Sequence, residues 1–156
     1  MGWGGILSLK IIPIVQLFIS AVAMLVIELL IPFGYFEFTW RLHLSAVIVV
    51  FGLVLVLAGG RAFFKANTTV NPISPENSSI LVTSDVYRFS RNPMYLGFLI
   101  VLLAWGLFLG SLPSFIMLPI FYWYITKTQI CFEEQILEKK FGDSYRMYMS
   151  KVRRWI

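Results

Sequence analysis

Long apolar runs separated by short polar breaks dominate the sequence, and they predict membrane-spanning helices. In residues 11–32 the only charged residue is Glu28, and the run is long enough to cross a bilayer as a helix. A second run, 42–60, has no charged residue and predicts a second spanning helix. We interpret the first run as a retained helix, because it has no clear small-residue cleavage site.

The third apolar run, 92–126, is too long for one spanning helix. It contains 35 residues without a charge, and as one helix it would be ~52 Å long against a hydrocarbon core of ~30 Å. A Gly-Ser-Leu-Pro stretch at 110–113 interrupts it near the middle. We therefore predict a C-terminal hairpin of two helices, over 94–110 and 113–129.

The composition agrees with this pattern. Hydrophobic residues make up 58% of the 156 residues, charged residues make up 13%, and the mean hydropathy is +0.79. Soluble domains carry about 25% charged residues. We therefore predict an all-α integral membrane protein, with about four transmembrane helices in a single domain over 1–156. The same composition argues against a disordered chain and against a nucleic-acid-binding protein, despite a net charge of +5.

The positive charges predict the orientation in the membrane. With four spans both termini lie on one side, and all but one of the 13 Lys and Arg residues fall on that side. The exception is Arg41. Because cytoplasmic segments carry an excess of Lys and Arg, we expect both termini, the loop 61–92 and the C-terminal segment 130–156 in the cytoplasm.

Polar groups stand at both ends of the predicted hairpin, so folding would bring them together in a polar pocket at the cytoplasmic surface. Arg91 precedes the first helix of the hairpin, and Glu133 and Glu134 follow the second. Arg91 offers a planar fork of donors to a carboxylate, and the glutamates can receive an ammonium or stabilise a sulfonium. The alternative is that Arg91 and a glutamate form an ion pair that only ties the hairpin.

The chain has few side chains that bind metals or act as nucleophiles. With one cysteine, Cys131, and one histidine, His43, it cannot build an ordinary Cys/His zinc site, and we expect no metal. His43 falls at the non-cytoplasmic start of the second helix, so we interpret it as a packing or interfacial residue. Cys131 has no evident base nearby, and we interpret it as an ordinary helix residue.

Three motifs in order along about the last 80 residues resemble the isoprenylcysteine carboxyl methyltransferase family, which is related to the membrane phospholipid methyltransferases. They are LVTSDVY at 81–87, RNPMYLG at 91–97, and EE at 133–134 followed by FGDSY at 141–145. The resemblance implies a cytoplasm-facing pocket for S-adenosylmethionine, built from the last two spans and the C-terminal segment.

By position, the resemblance also implies which residues contact this cofactor. The residues expected around it are Ile80, Leu81, Val82, Tyr87, Asn92, Pro93, Met94, Tyr95 and Glu133. The first four would border the adenosine, and Glu133 would hold the methionine portion. No catalytic residue is assigned, but the candidates are Arg91, Gln129 and Glu134.

Two departures from the family pattern bear on the methyl acceptor. Asn92 stands where the eukaryotic enzymes have histidine, and Gln129 stands where they have an arginine that is expected to orient the substrate carboxylate. A neutral amide attracts a carboxylate far less than a guanidinium does. The reacting group of the acceptor therefore stays open among a carboxylate, an amine, a thiol and a hydroxyl. We expect the acceptor itself to be lipophilic or isoprenoid-like and to come from the bilayer.

Two other functions are alternatives to this methyltransferase interpretation. One is a non-catalytic membrane protein that binds a lipid or assists a partner complex. The other is a small transporter, which the sequence disfavours because no charge lies at mid-membrane and no inverted repeat is visible. Binding of S-adenosylmethionine would separate the enzyme from both.

Overall fold

The computed structural model describes residues 12–31, 33–66 and 80–156. The ends of the predicted first span, residues 11 and 32, and part of the predicted loop, 67–79, lie outside the described residues. The regular secondary structure in the described ranges is helical. Its α-helices are α1 (Pro13–Leu30), α2 (Arg41–Lys65), α3 (Pro93–Leu109), α4 (Met117–Ile125), α5 (Cys131–Phe141) and α6 (Asp143–Lys151).

Helices α1 and α2 are long and apolar enough to cross a membrane, whereas α3 is apolar but has 17 residues. Most of the surface of α1 and α2 faces outward, including large side chains such as Phe18, Leu30, Leu57 and Phe64. Exposing so large an apolar surface to water is unfavourable, whereas contact with the hydrocarbon core of a membrane is not. The structure therefore agrees with the expected helical membrane protein.

Helix α3 lies at the centre of the fold and contacts α1, α2 and α4. It approaches α2 closely where Gly97 meets Gly52. A Cβ atom built on Gly97 would lie 2.7 Å from the Gly52 carbonyl oxygen, and one built on Gly52 would lie 2.9 Å from the Gly97 carbonyl oxygen. The two backbones come this close because neither residue has a side chain.

The turn after α3 is joined to the segment between α1 and α2. Gly110 ends α3 in the left-handed conformation, with φ of 68°, and its carbonyl oxygen accepts a bond of 2.9 Å from the Phe36 amide. Arg41 Nη1 donates to the Phe108 carbonyl oxygen at 3.0 Å. These bonds satisfy carbonyl groups that the end of a helix leaves unpaired.

The last part of the predicted hairpin differs from the single regular helix expected over 113–129. A 3₁₀ turn, Pro113–Ile116, leads into α4, and a π-helical turn, Thr126–Ile130, joins α4 directly to α5. The helical path therefore runs on to Phe141. It ends at Gly142, which has a φ of 51°.

Threonine side chains explain where the regular helix is interrupted. The hydroxyl of Thr126 donates to the Tyr122 carbonyl oxygen at 2.6 Å, and that of Thr128 donates to the Tyr124 carbonyl oxygen at 2.8 Å. Such bonds compete with the backbone for the carbonyls one turn earlier and loosen the regular ladder.

The buried core lies between α1, α3 and α4. Met24, Leu102 and Ile125 are fully buried there, and Phe121 is nearly so. Trp155, from the segment that follows α6, packs against this cluster. The C-terminal end of the chain is therefore part of the packed structure.

Candidate functional site

A cavity of about 420 Å³ opens at one end of α3. Its walls come from α1, α2, α3, α5 and α6, and from the segment 80–91. The volume falls within the range of about 300–1,000 Å³ that is common for small-molecule sites. Most of the wall is apolar, and a few charged side chains stand on one side.

Most of the predicted residues lie on this cavity. Eight of the nine residues expected around the cofactor line it, namely Ile80, Leu81, Val82, Tyr87, Asn92, Met94, Tyr95 and Glu133. The ninth, Pro93, is fully buried and opens α3. Of the catalytic candidates, Arg91 and Glu134 line the cavity, whereas Gln129 is buried and contacts Glu133 instead.

Glu133 is held by two neutral donors. Its Oε1 atom accepts a hydrogen bond of 2.6 Å from the Tyr95 hydroxyl and one of 2.7 Å from Gln129 Nε2. In the part of the chain that the structure describes, Glu133 forms no ion pair. The side chain is therefore fixed in place and leaves its charge available to a cation in the cavity.

The surroundings of Glu133 also shift its protonation. Burial raises the pKa of Glu133 to about 7, although the hydrogen bonds from Gln129 and Tyr95 act in the opposite direction. The neighbouring charge of Glu134 raises it further. Glu133 consequently changes its charge near neutral pH.

Glu134, the next residue, is paired with two cationic side chains. Its Oε1 lies 3.1 Å from Arg91 Nη1, and its Oε2 lies 2.6 Å from Arg154 Nη2. Arg154 Nε also donates to Oε1 at 3.0 Å. The ion pair between Arg91 and a glutamate, which was the alternative to a ligand pocket, thus exists, and it involves Glu134 and not Glu133.

Arg91 keeps donors that the protein does not use. Its Nε atom is buried and has no hydrogen-bond partner among the described residues. Arg91 also lines the cavity, so its guanidinium stands beside any ligand that binds there. The cavity wall therefore offers a carboxylate at Glu133 and a guanidinium donor at Arg91.

Tyrosines form another part of the wall. The hydroxyl of Tyr148 donates to the Tyr87 carbonyl oxygen at 2.7 Å, and the Tyr87 ring meets Phe63 edge-to-face at 5.3 Å. Burial raises the pKa of Tyr145 to about 12 and also raises the pKa values of Tyr87 and Tyr148. These rings are therefore neutral at physiological pH and present aromatic faces.

Sequence reasoning missed the remaining lining residues, which are Ile12, Pro13, Ile14, Val56, Phe63, Phe98, Leu137, Tyr145 and Tyr148. Those on α1, α2 and α3 are apolar residues in apolar helices, so no pattern distinguishes them. Tyr145 ends the FGDSY motif, but neither Tyr145 nor Tyr148 was assigned to the cavity. Their spacing of three residues, which puts them on one helix face, was the available signal.

The lone histidine and cysteine lie outside this wall. His43 stands in the first turn of α2, where its ring meets Trp40 at 5.5 Å. Cys131 is a free cysteine at the start of α5. Neither residue is among those that line the cavity, and the described residues contain no group of three or more His, Cys, Asp and Glu side chains that could hold a metal ion.

Comparison with known proteins matches residues 40–144 to the phospholipid methyltransferase family. An uncharacterized protein of Haemophilus influenzae is 51% identical over 63 residues, which are 40% of this chain and all of that protein. A protein-S-isoprenylcysteine O-methyltransferase of Schizosaccharomyces pombe is 37% identical over 73 residues, which are 47% of this chain and 31% of that protein.

A probable protein-S-isoprenylcysteine O-methyltransferase of Oryza sativa subsp. japonica is 32% identical over 120 residues, which are 74% of this chain and 61% of that protein. The chain therefore spans less than two thirds of these named methyltransferases. No solved structure matches. The family match ends at residue 144, so Tyr145, Tyr148 and Arg154 lie beyond it.

Proposed function

This chain belongs to the phospholipid methyltransferase family, as the resemblance of its motifs indicated, and from that premise we propose that it is an integral membrane methyltransferase that uses S-adenosylmethionine. The observation that carries the proposal is the pair of unlike charges on the cavity wall. Glu133 can receive a cation and Arg91 can donate to a carboxylate. A zwitterionic amino-acid end needs both.

The donor set of the cavity fits this cofactor. Glu133 would hold the ammonium or sulfonium, and Arg91 would hold the carboxylate of the methionine portion. The apolar segment 80–82 and the Tyr87 ring would border the adenosine, as the resemblance implies. The volume of about 420 Å³ suits a ligand of this size class.

The side chains of the cavity contribute binding and orientation. When bound, S-adenosylmethionine supplies an electrophilic methyl group. Tyr95 and Gln129 fix the Glu133 carboxylate, and the apolar walls exclude water, so an acceptor nucleophile can be held in line with little reorganisation. We assign no general base, because a carboxylate or neutral amine acceptor needs none.

The acceptor is proposed to be lipophilic. The apolar part of the cavity wall comes from α1 through Ile14, from α2 through Val56 and Phe63, and from α3 through Phe98. Since α1 and α2 carry the apolar outer surface, an acceptor in the bilayer can reach this wall from the lipid. Gln129 is not on the cavity wall, so we do not assign it to the acceptor.

We place this site at the cytoplasmic surface of a protein with four spans. Arg91, Glu134 and Arg154 meet at the start of α3, whereas Arg41 lies at its other end, bonded to Phe108. That separation agrees with the charge asymmetry of the sequence. Both termini would then be cytoplasmic.

Transfer of a labelled methyl group tests the proposal. The purified chain, reconstituted with a lipid extract and S-adenosylmethionine that carries a labelled methyl, should move label into the lipid fraction. Glu133→Gln should reduce the transfer strongly, and Glu138→Gln, the same change on an exposed ion pair of α5, should not. Lipid binding without any transfer, from several extracts, would instead favour the non-catalytic alternative.

A further inference from the structure

The segment after α6, residues 152–156, crosses the start of α3 and is here named the C-terminal strap. The Arg91 amide donates to the Arg153 carbonyl oxygen at 3.1 Å. Asn92 Nδ2 donates to the Arg154 carbonyl oxygen at 3.0 Å. The backbone of the strap therefore holds the first two residues of the RNPMYLG motif.

The side chain of Arg154 connects this motif to α5. Its guanidinium takes both carboxylate oxygens of Glu134, with Nε at 3.0 Å from Oε1 and Nη2 at 2.6 Å from Oε2. Arg91 reaches the same carboxylate at 3.1 Å. Glu134 is thus shared by one guanidinium from the motif and one from the strap, and its side chain is only 13% exposed.

The strap is anchored in the core. The Trp155 ring lies 4.8 Å from that of Tyr122 on α4, and Trp155 packs against the buried cluster. Trp155 therefore fixes the backbone next to Arg154, and the two contacts with Glu134 fix the Arg154 side chain.

We infer that Arg154 is a positioning residue of the donor site, acting through Glu134 and Asn92. The inference rests on the proposed function. No residue of the strap lines the cavity, and the strap lies beyond the family match. Arg154 has two effects on the site. Its backbone carbonyl oxygen holds Asn92 at the start of α3, and its guanidinium balances the negative charge of Glu134 beside Glu133.

The second effect gives the inference an electrostatic signature. The titratable groups that act on Glu133 are Tyr95 from α3, Tyr87 from the preceding segment and Glu134 beside it. The two tyrosines are neutral near pH 7, so Glu134 is the charged neighbour, and Arg91 and Arg154 balance it. Without Arg154 the charge of Glu134 would act more strongly on Glu133 and raise its pKa.

The test is binding of S-adenosylhomocysteine over a pH series, measured on the full chain in lipid nanodiscs. Arg154→Gln should weaken binding about tenfold or more and move the pH at which affinity is half-lost to a higher value. Arg154→Lys, which keeps the charge but loses the fork, should restore that pH and only part of the affinity. Lys151→Gln removes a charge from an exposed residue of α6 and should match the wild type.

Each other outcome decides against a stated claim. Wild-type affinity and pH midpoint in Arg154→Gln would overturn the inference while leaving the proposed function intact. A loss of affinity with an unchanged midpoint and no rescue by lysine would show a purely structural role and would also overturn it.

If Arg154→Gln does not fold, the double change with Glu134→Gln removes both charges, and its midpoint should stay close to that of the wild type. No binding by the wild type would overturn the proposed function itself.

Discussion

Adjacent carboxylates at residues 133 and 134 have opposite roles because their partners differ. Glu134 is neutralised by Arg91 and Arg154, while Glu133 receives only the neutral donors of Tyr95 and Gln129. A buried carboxylate without a cation prefers to take up a proton, which is why the pKa of Glu133 rises to about 7. A cationic ligand would supply the partner that the fold omits.

The pH dependence of donor binding follows from this pKa. Above pH 7 Glu133 is mostly ionised and ready to receive a cation, and below pH 7 it is mostly protonated. Affinity for S-adenosylmethionine should therefore increase as the pH rises from 6 to 8, by at most about tenfold per unit on the acid side. Calorimetric titration at several pH values measures it. A flat profile in the wild type, or the same slope in Glu133→Gln, would contradict this assignment.

The hydroxyl of Tyr95 can be tested with a single-atom change. Tyr95→Phe removes the bond of 2.6 Å to Glu133, which favours the ionised carboxylate, and should weaken donor binding by about five- to tenfold. Tyr35→Phe is the matched control, because the Tyr35 hydroxyl bonds to the Glu28 carbonyl oxygen away from the cavity. Equal affinities of the two variants would argue against a role for this bond.

At this scale the sequence predicted which residues line the cavity but not which charged side chains form ion pairs. The family resemblance named eight residues around the cofactor that line the cavity. The choice between Glu133 and Glu134 as the partner of Arg91 depended on Arg154, which lies 20 residues further along the chain. No local pattern links Arg154 to either glutamate.

At the scale of the helices, the π-helical turn Thr126–Ile130 decides the geometry of the site. It joins α4 to α5 and carries Gln129, whose amide meets Glu133 one turn later. The sequence analysis predicted that the last spanning helix ends at residue 129 and that a C-terminal segment, 130–156, follows it. It contains no glycine or proline at this point to mark the irregular turn.

Contact between α2 and α3 depends on Gly52 and Gly97. Gly52→Ala would bring a methyl group within 2.9 Å of the Gly97 carbonyl oxygen and of Val101, and should lower the free energy of unfolding by about 1–3 kcal/mol. Gly60→Ala, on the same helix, meets no atom within 4 Å and should be neutral or slightly stabilising. Thermal unfolding in detergent measures both. Similar stabilities for the two variants would contradict this account of the helix contact.

At the scale of the whole molecule, the apolar exterior of α1 and α2 and the clustering of charges at one end of α3 predict the topology. The exterior follows directly from the hydropathy of the sequence, so this level was the most predictable. The apolar cavity wall was not, because Ile14, Val56 and Phe63 are among many apolar residues of α1 and α2, and only the fold shows that these three face the cavity.

The proposed orientation can be tested with single cysteines in a Cys131→Ser background. Trp40 and Ser150 are exposed at opposite ends of the molecule in this topology. In intact cells, a membrane-impermeant maleimide should label Trp40→Cys and spare Ser150→Cys until the membrane is permeabilised. Labelling of Ser150→Cys in intact cells would reverse the orientation and contradict a cytoplasmic site.

Calorimetric titration of S-adenosylmethionine into the full chain in lipid nanodiscs tests the central claim most directly. The account predicts saturable binding to the wild type and to Glu138→Gln, and an affinity lower by about tenfold or more for Glu133→Gln, which loses a charge-assisted contact. Absence of saturable binding to the folded wild type, or equal affinity of Glu133→Gln and Glu138→Gln, would contradict it.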